Sequence, residues 1–186
     1  MKSLEGQMLV AALTLRDPNF HRTVVLIVKH SDEGTLGLVI NRPSGTKIAE
    51  IWDQVSSTPC HVDQPIHTGG PIQGPLMALH SAPAWSEIEV VPGLYFTAAR
   101  ESLEQIVSAT EPEMPHDAKF FVGYAGWGPG QLESEFDAGA WLTIAASGEH
   151  VFGADDPWQS LTRQIGGSQL LASLGIKHVP SDPRLN

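Results

Sequence analysis

The residues best suited to chemistry in this sequence are polar groups at the ends of predicted strands and helices: His30, Asn41, Arg42, His80 and Arg100. Polar side chains at strand ends can converge on one rim of a sheet, and Asn41 and Arg42 would form the centre of such a rim. Arg42 precedes Pro43, which holds its backbone extended and sends its guanidinium off the sheet edge in a defined direction. A guanidinium fork suits a carboxylate or phosphate better than a lysine does. Asn41 shares a face with Gly37 and Val39, where the missing side chain of Gly37 would leave room. His30 and His80 would add titratable partners near neutral pH. Gly69 and Gly70 would add backbone donors if their loop folds over the rim. The competing reading is structural: Asn41 satisfies the Pro43-Ser44-Gly45 turn, Arg42 pairs with a surface acid, and the others cap loop backbone. The structural reading is the default of the two.

Other chemistry is weaker. There is no Gly-x-Ser-x-Gly elbow, and Cys60 beside His61 is a neighbour in sequence, which does not make a nucleophile–base pair. The default for Cys60 is an idle thiol. No His-Glu-x-x-His and no calcium-type loop is present, so no metal and no cofactor is expected. His61 and His67 share a predicted loop, where two solvated histidines are the plain expectation. Gly126-Trp127-Gly128-Pro129-Gly130 leads into a predicted helix, whose N-terminus favours anions. Pro129 removes one donor, however, and Glu133 and Glu135 already use the helix dipole. The structural alternative is a tight strand-to-helix turn with Trp127 packed in the core.

These groups sit on a chain of 186 residues, a length that fits one domain spanning 1–186. Acids outnumber Lys plus Arg by 21 to 11, a net charge of −10, and the basic residues are scattered. A DNA-binding face needs clustered cations, so no specific nucleic-acid partner is expected. A single cysteine excludes an intrachain disulfide. The N-terminus shows no export signal, and the longest apolar runs are strand-length, which points to the cytoplasm and to no membrane partner.

The elements follow from pattern. Leu9 to Leu15 reads as a strand, and Asp17-Pro18-Asn19-Phe20 as a type I turn. Thr23 to Val28 is apolar without alternation, as in a strand buried on both faces, and hairpins with Leu36 to Ile40. Lys47 to Val55 and Ser102 to Ala109 have helical spacing, the latter with Leu103, Ile106 and Val107 facing inward. Thr58 to Gly74 reads as a loop. Leu76 to His80, Leu94 to Ala98, Lys119 to Tyr124 and Trp141 to Ala145 read as strands. A short helix opens at Gly128-Pro129-Gly130 and reaches Ala138, with Gly139 as its stop. Asp156-Pro157-Trp158 caps another helix that Gly166 ends, and Gln169 to Leu174 adds a last turn or two. About seven strands and four or five helices that do not alternate strictly predict an α+β fold with a mixed or antiparallel sheet.

Several motifs occur in one order along the chain: Asp17-Pro18-Asn19-Phe20, Arg22 to Val25, His30, Gly34 to Pro43, Gly69-Gly70-Pro71, Gly123 to Trp127, Gly130 to Glu135 and Ala140 to Thr143. Together they resemble the bacterial YqgE/AlgH family across nearly the whole chain. The resemblance implies a bifurcated sheet curled into a pseudo-barrel with helices packed around it. It brings a transcriptional-regulator label that rests on a genetic phenotype, and it implies no reaction. The expected function is binding of a partner protein or a small anionic ligand. An enzyme using the His/Asn/Arg rim and a regulator are the alternatives.

Overall fold

A computed structural model describes residues 3–110, 117–153 and 156–173. Ten strands and five α-helices lie within them. The fold starts from the run predicted to be central. Strand β2 (Val24–Ser31) has Val24 to Val28 at 0–2% exposure, so both faces are covered. It pairs antiparallel with β1 (Gln7–Ala11) and with β3 (Gly34–Val39), turning through Asp32-Glu33. The Asp17 turn precedes it, with Phe20 N–H donating to the Asp17 carbonyl at 3.0 Å.

β9 (Ala118–Trp127) is the longest strand and the axis of the sheet. One of its edges carries β6 (Ile72–His80), followed by β8 (Leu94–Thr97) and β7 (Ile88–Val91). The other edge is divided. Ala125 to Trp127 pair with β3, whereas Phe120 to Val122 pair in parallel with β5 (Pro65–Thr68). Gly123, at φ +75°, lies between the two pairings and lets the sheet fork. β5 in turn carries β4 (Pro43–Lys47). The strand order β10-β1-β2-β3-β9-β6-β8-β7, with β10 (Trp141–Ala145) at one end, therefore has a side branch. The sheet curls until Gly6, just before β1, lies against Val90 and Val91 of β7. The expected α+β fold with a forked, curled sheet is thus what the chain forms.

The inside of the curl holds the larger core, which includes Leu26, Leu38, Leu94 and Phe121. A second core covers the outer face near β5, β6 and β9. There α1 (Ile48–Val55) contributes Ile48 and Trp52, and α2 (Arg100–Ser108) contributes Leu103, Ile106 and Val107, as their spacing predicts. Burying such side chains at about 1.5–3 kcal/mol each is what fixes both helices on the sheet.

Several segments differ from the sequence expectation, among them the first strand, which ends at Ala11 and leaves Leu13 exposed. Thr58 to Gly74 is not a plain loop, because β5 and the start of β6 lie in it. Both are recognisable only through pairing with β9. The helix opened by Asp156 is α5 (Pro157–Ser173), which runs through Gly166-Gly167 instead of stopping there. Two glycines cost about 2 kcal/mol of propensity, and the buried Trp158, Leu161 and Ile165 offset it. Helix α4 (Gly148–Phe152) and strands β4 and β7 have no counterpart among the predicted elements. By contrast α3 (Gln131–Asp137) begins and ends where expected, with Gly139 at φ +71° as its stop. Leu174, expected to close the last turn, lies outside the described residues.

Candidate functional site

The predicted rim does not assemble as one site. His30 pairs with Thr35 beside the hairpin turn, whereas Asn41 binds the start of β2 at Val24. Six residues of strand separate them, about 20 Å. The reason is antiparallel geometry: the end of one hairpin strand and the end of its partner lie at opposite ends of the pair. The His30 side chain is 7% exposed, with Nε2 3.7 Å from Glu133 Oε1 and Nδ1 unpartnered.

Asn41 and Arg42 lie where expected, but their donors are engaged. Asn41 Oδ1 accepts from Val24 N–H at 2.9 Å, and Nδ2 donates to the Arg22 carbonyl at 2.9 Å. Arg42 donates to the carbonyls of Pro18 and His21 at 3.2 and 3.3 Å, so it ties down the turn before β2 in place of pairing with a surface acid. Arg22 itself sits at φ 55°. The space expected at Gly37 is filled, since a Cβ there would lie 2.7 Å from Val25 Cγ1.

His80 ends β6 opposite Ala118 of β9, with its ring fully buried and tilted against Tyr95. Neither ring nitrogen makes a well-formed hydrogen bond, and burial pushes its pKa down, partly offset by the backbone at Ala82. Arg100 opens α2 on the outer face, bonded to Glu104 Oε1 at 3.0 Å and the Val55 carbonyl at 3.4 Å. Gly69 donates its N–H to the Val122 carbonyl and accepts from Val39 N–H, bridging the two arms of the fork. A Cβ on Gly70 would lie 2.2 Å from the Tyr124 carbonyl carbon, so this glycine is where two backbones cross. In the Gly126–Gly130 loop Trp127 is buried, as its structural reading has it. Glu135 accepts the indole N–H of Trp127 at 2.9 Å and of Trp141 at 2.8 Å, so it holds the loop instead of facing the helix dipole.

What the fold does bring together is a cleft of about 330 Å³ that Asn41 lines with His67, Lys119, His150 and Asp156. β5 and β9 build it. His67 lies opposite Phe121 in the parallel ladder, and Lys119 is two residues before Phe121, so both side chains project from one face. Contrary to the expectation of a solvated loop histidine, His67 is 8% exposed and packs on the Phe121 ring at 5.6 Å, with Nδ1 unpartnered. Burial, and secondarily the charge of Lys119, lower its pKa to about 4.

Lys119 is half-buried, and burial lowers its pKa. Its Nζ donates to the Ile40 carbonyl at 3.4 Å. Among the described residues the ion pairs are Lys47–Asp63 and Arg100–Glu104, and the close contact of His30 with Glu133 adds a third, so none of them holds Lys119. His150, on α4, has Nδ1 3.0 Å from Ser147 Oγ. Asp156 lies in the same wall, but its Oδ1 is engaged by Trp158 N–H at 3.0 Å and by Asn41 Nδ2 at 3.5 Å.

Of this set the sequence pointed to Asn41 as a rim residue, to His67 only as a solvated loop histidine and to Asp156 only as a helix cap, and it did not single out Lys119 or His150. The available signal was slight: one lysine ahead of a Phe-Phe pair, and one histidine between Ile66 and Thr68. No group of three or more His, Cys, Asp or Glu able to hold a metal occurs among the described residues. Cys60 Sγ lies 3.6 Å from the Val62 carbonyl, and burial raises its pKa.

The comparisons with known proteins agree with this architecture. Residues 8–170 match the family DUF179, described as AlgH-like. A UPF0301 protein of Chlorobaculum tepidum is 37% identical over 167 residues, 87% of each chain. A UPF0301 protein of Paracoccus denitrificans is 34% identical over 189 residues, 95% of this chain and 97% of its own. The solution structure of the AlgH protein from Pseudomonas aeruginosa superimposes with a TM-score of 0.72 at 31% identity, covering 98% of this chain and 100% of that one. The crystal structure of protein DIP2367 from Corynebacterium diphtheriae gives 0.71 at 25% identity over 88% of each. A family match across most of the chain and relatives above 30% identity at nearly full length lead to one assignment: this chain belongs to the AlgH-like family.

Proposed function

We propose that this protein binds a small anionic ligand, a carboxylate or phosphate, in the cleft beside Lys119. The observation that carries this reading is a half-buried ammonium whose bonded partner is a backbone carbonyl and which no carboxylate pairs among the described residues. A partly desolvated charge without a counter-ion is costly, and an anion entering the cleft relieves that cost. On a protein of net charge −10 such a local cation is also what an anion needs to approach. His150 and the neutral His67 add polar ring nitrogens to the same wall.

The test is a titration of the protein with acetate and with inorganic phosphate, followed by NMR of the histidine ring protons. Saturable shifts confined to His67 and His150, with a Kd of about 1 mM or tighter, are expected, and Lys119→Met should abolish them. Shifts that are absent, or unchanged in a folded Lys119→Met variant, refute the proposal.

A further inference from the structure

We propose that Lys119 is an amine nucleophile that condenses with the carbonyl group of a small α-oxo acid held in this cleft, forming an imine. The inference rests on the anion-binding reading of the same cleft and names the ligand class that its side chains suit.

The argument begins with the contrast between two lysines. Lys47 is exposed and held by Asp63 at 2.6 Å, an arrangement that keeps it protonated and raises its pKa. Lys119 has the opposite surroundings: one carbonyl acceptor, partial burial and no carboxylate pairing it among the described residues. Desolvation favours the neutral amine, and the neutral amine is the nucleophile. The single bond to Ile40 leaves the remaining bonding directions of Nζ open to a ligand.

Condensation also needs proton traffic. The Nζ lone pair attacks the carbonyl carbon and the C–N bond forms, while the C=O π pair moves to oxygen, which takes up a proton. The resulting carbinolamine loses that oxygen as water, and the nitrogen lone pair forms the C=N bond. The net change is amine plus carbonyl giving imine plus one water, with no oxidant or reductant. The two protons that leave the amine nitrogen depart with the oxygen as water, passing through solvent in the cleft, whose wall carries the ring nitrogens of His67 and His150. His67 is held neutral by burial, so it acts as a polar ring that orients the ligand and the departing water. The carboxylate of an α-oxo acid supplies the anion. Once protonated, the imine restores the positive charge beside that carboxylate, so the attraction that admits the ligand persists in the adduct. A cleft of about 330 Å³ is at the small end of ligand pockets, which suits two- to four-carbon acids.

The test uses glyoxylate, the smallest α-oxo acid, with the intact protein at mildly alkaline pH. Borohydride is then added to reduce any imine to a stable carboxymethyl-lysine, and peptides are mapped by mass spectrometry. Labelling of Lys119 severalfold above Lys29 and Lys47, suppressed by excess acetate, is the expected result. His67→Gln should slow labelling at saturating glyoxylate and alter its pH profile, neither of which a merely structural role would move once the cleft is fully occupied. Uniform labelling of the lysines, or none at Lys119, overturns the proposal. If acetate still binds saturably in that case, imine formation alone is refuted. If acetate also fails to bind, the anion-binding reading falls with it.

Discussion

Lowering the pH should destabilise this protein through His67 well before its carboxylates protonate. The folded state holds His67 near a pKa of about 4 because the ring is buried beside Lys119, against 6.5 for a free imidazole. Below pH 6.5 the unfolded chain therefore binds more protons than the folded one, and stability falls with pH. The contribution is fully present above 6.5 and is lost progressively down to about 4, where the folded ring also takes up a proton. A gap of about 2.5 units at about 1.36 kcal/mol each sets a ceiling of about 3.4 kcal/mol, of which about 2 kcal/mol is gone by pH 5. That is a large share of the ~5–15 kcal/mol of an ordinary domain. The assay is urea unfolding at pH 7, 6 and 5, with wild type beside His67→Gln, which keeps a polar side chain but cannot protonate. Wild type should lose about 2 kcal/mol more than the variant over this range. The variant should keep a residual slope from His80, whose pKa burial also lowers. If the two proteins lose stability in parallel, His67 is not buried as the β5–β9 ladder places it.

Two further outcomes test the fold around the cleft. Asn41→Ala removes the acceptor of the fully buried Val24 N–H and the donor to the Arg22 carbonyl, and should cost about 1–3 kcal/mol in urea unfolding; a loss under about 0.5 kcal/mol would mean Asn41 is not what ties the loop to β2. Gly70→Ala should give little soluble, cooperatively melting protein, because its Cβ would sit 2.2 Å from a backbone carbon with no side-chain freedom to relieve it; a thermal midpoint within a few degrees of wild type contradicts the fork geometry.

Much of the scaffold was legible in the residues alone, because local patterning is strongest where burial is complete. The Val24–Val28 run has no polar position to leave exposed, so it reads as a central strand, and its near-complete burial agrees. The spacing of Leu103, Ile106 and Val107 places a helix because one face must be dry. Asp156 reads as a cap and does accept from Trp158 N–H. The ordered motifs from Asp17 to Thr143 carried the family and, with it, the forked sheet.

The site was decided elsewhere. β4 and β5 are four or five residues long, each begins with proline, and neither has a local pattern. They become strands only because β9 offers an open edge beyond Gly123. His67 and Lys119, 52 positions apart, share a face only through that parallel pairing, and no local rule joins residues so distant. His30 and Asn41 show the converse: they are close in sequence and chemically suited to one rim, yet the antiparallel hairpin sets them at opposite ends. Arg42 was suited to an anion by type, but its guanidinium is engaged by carbonyls that a preceding turn brings within reach. Residue patterning alone shows which segments must be buried, because hydrophobic burial is read residue by residue. Which polar groups meet depended on strand order and on the crossing at Gly70. Those are set by the closure of the whole sheet, and therefore appear only in the tertiary structure.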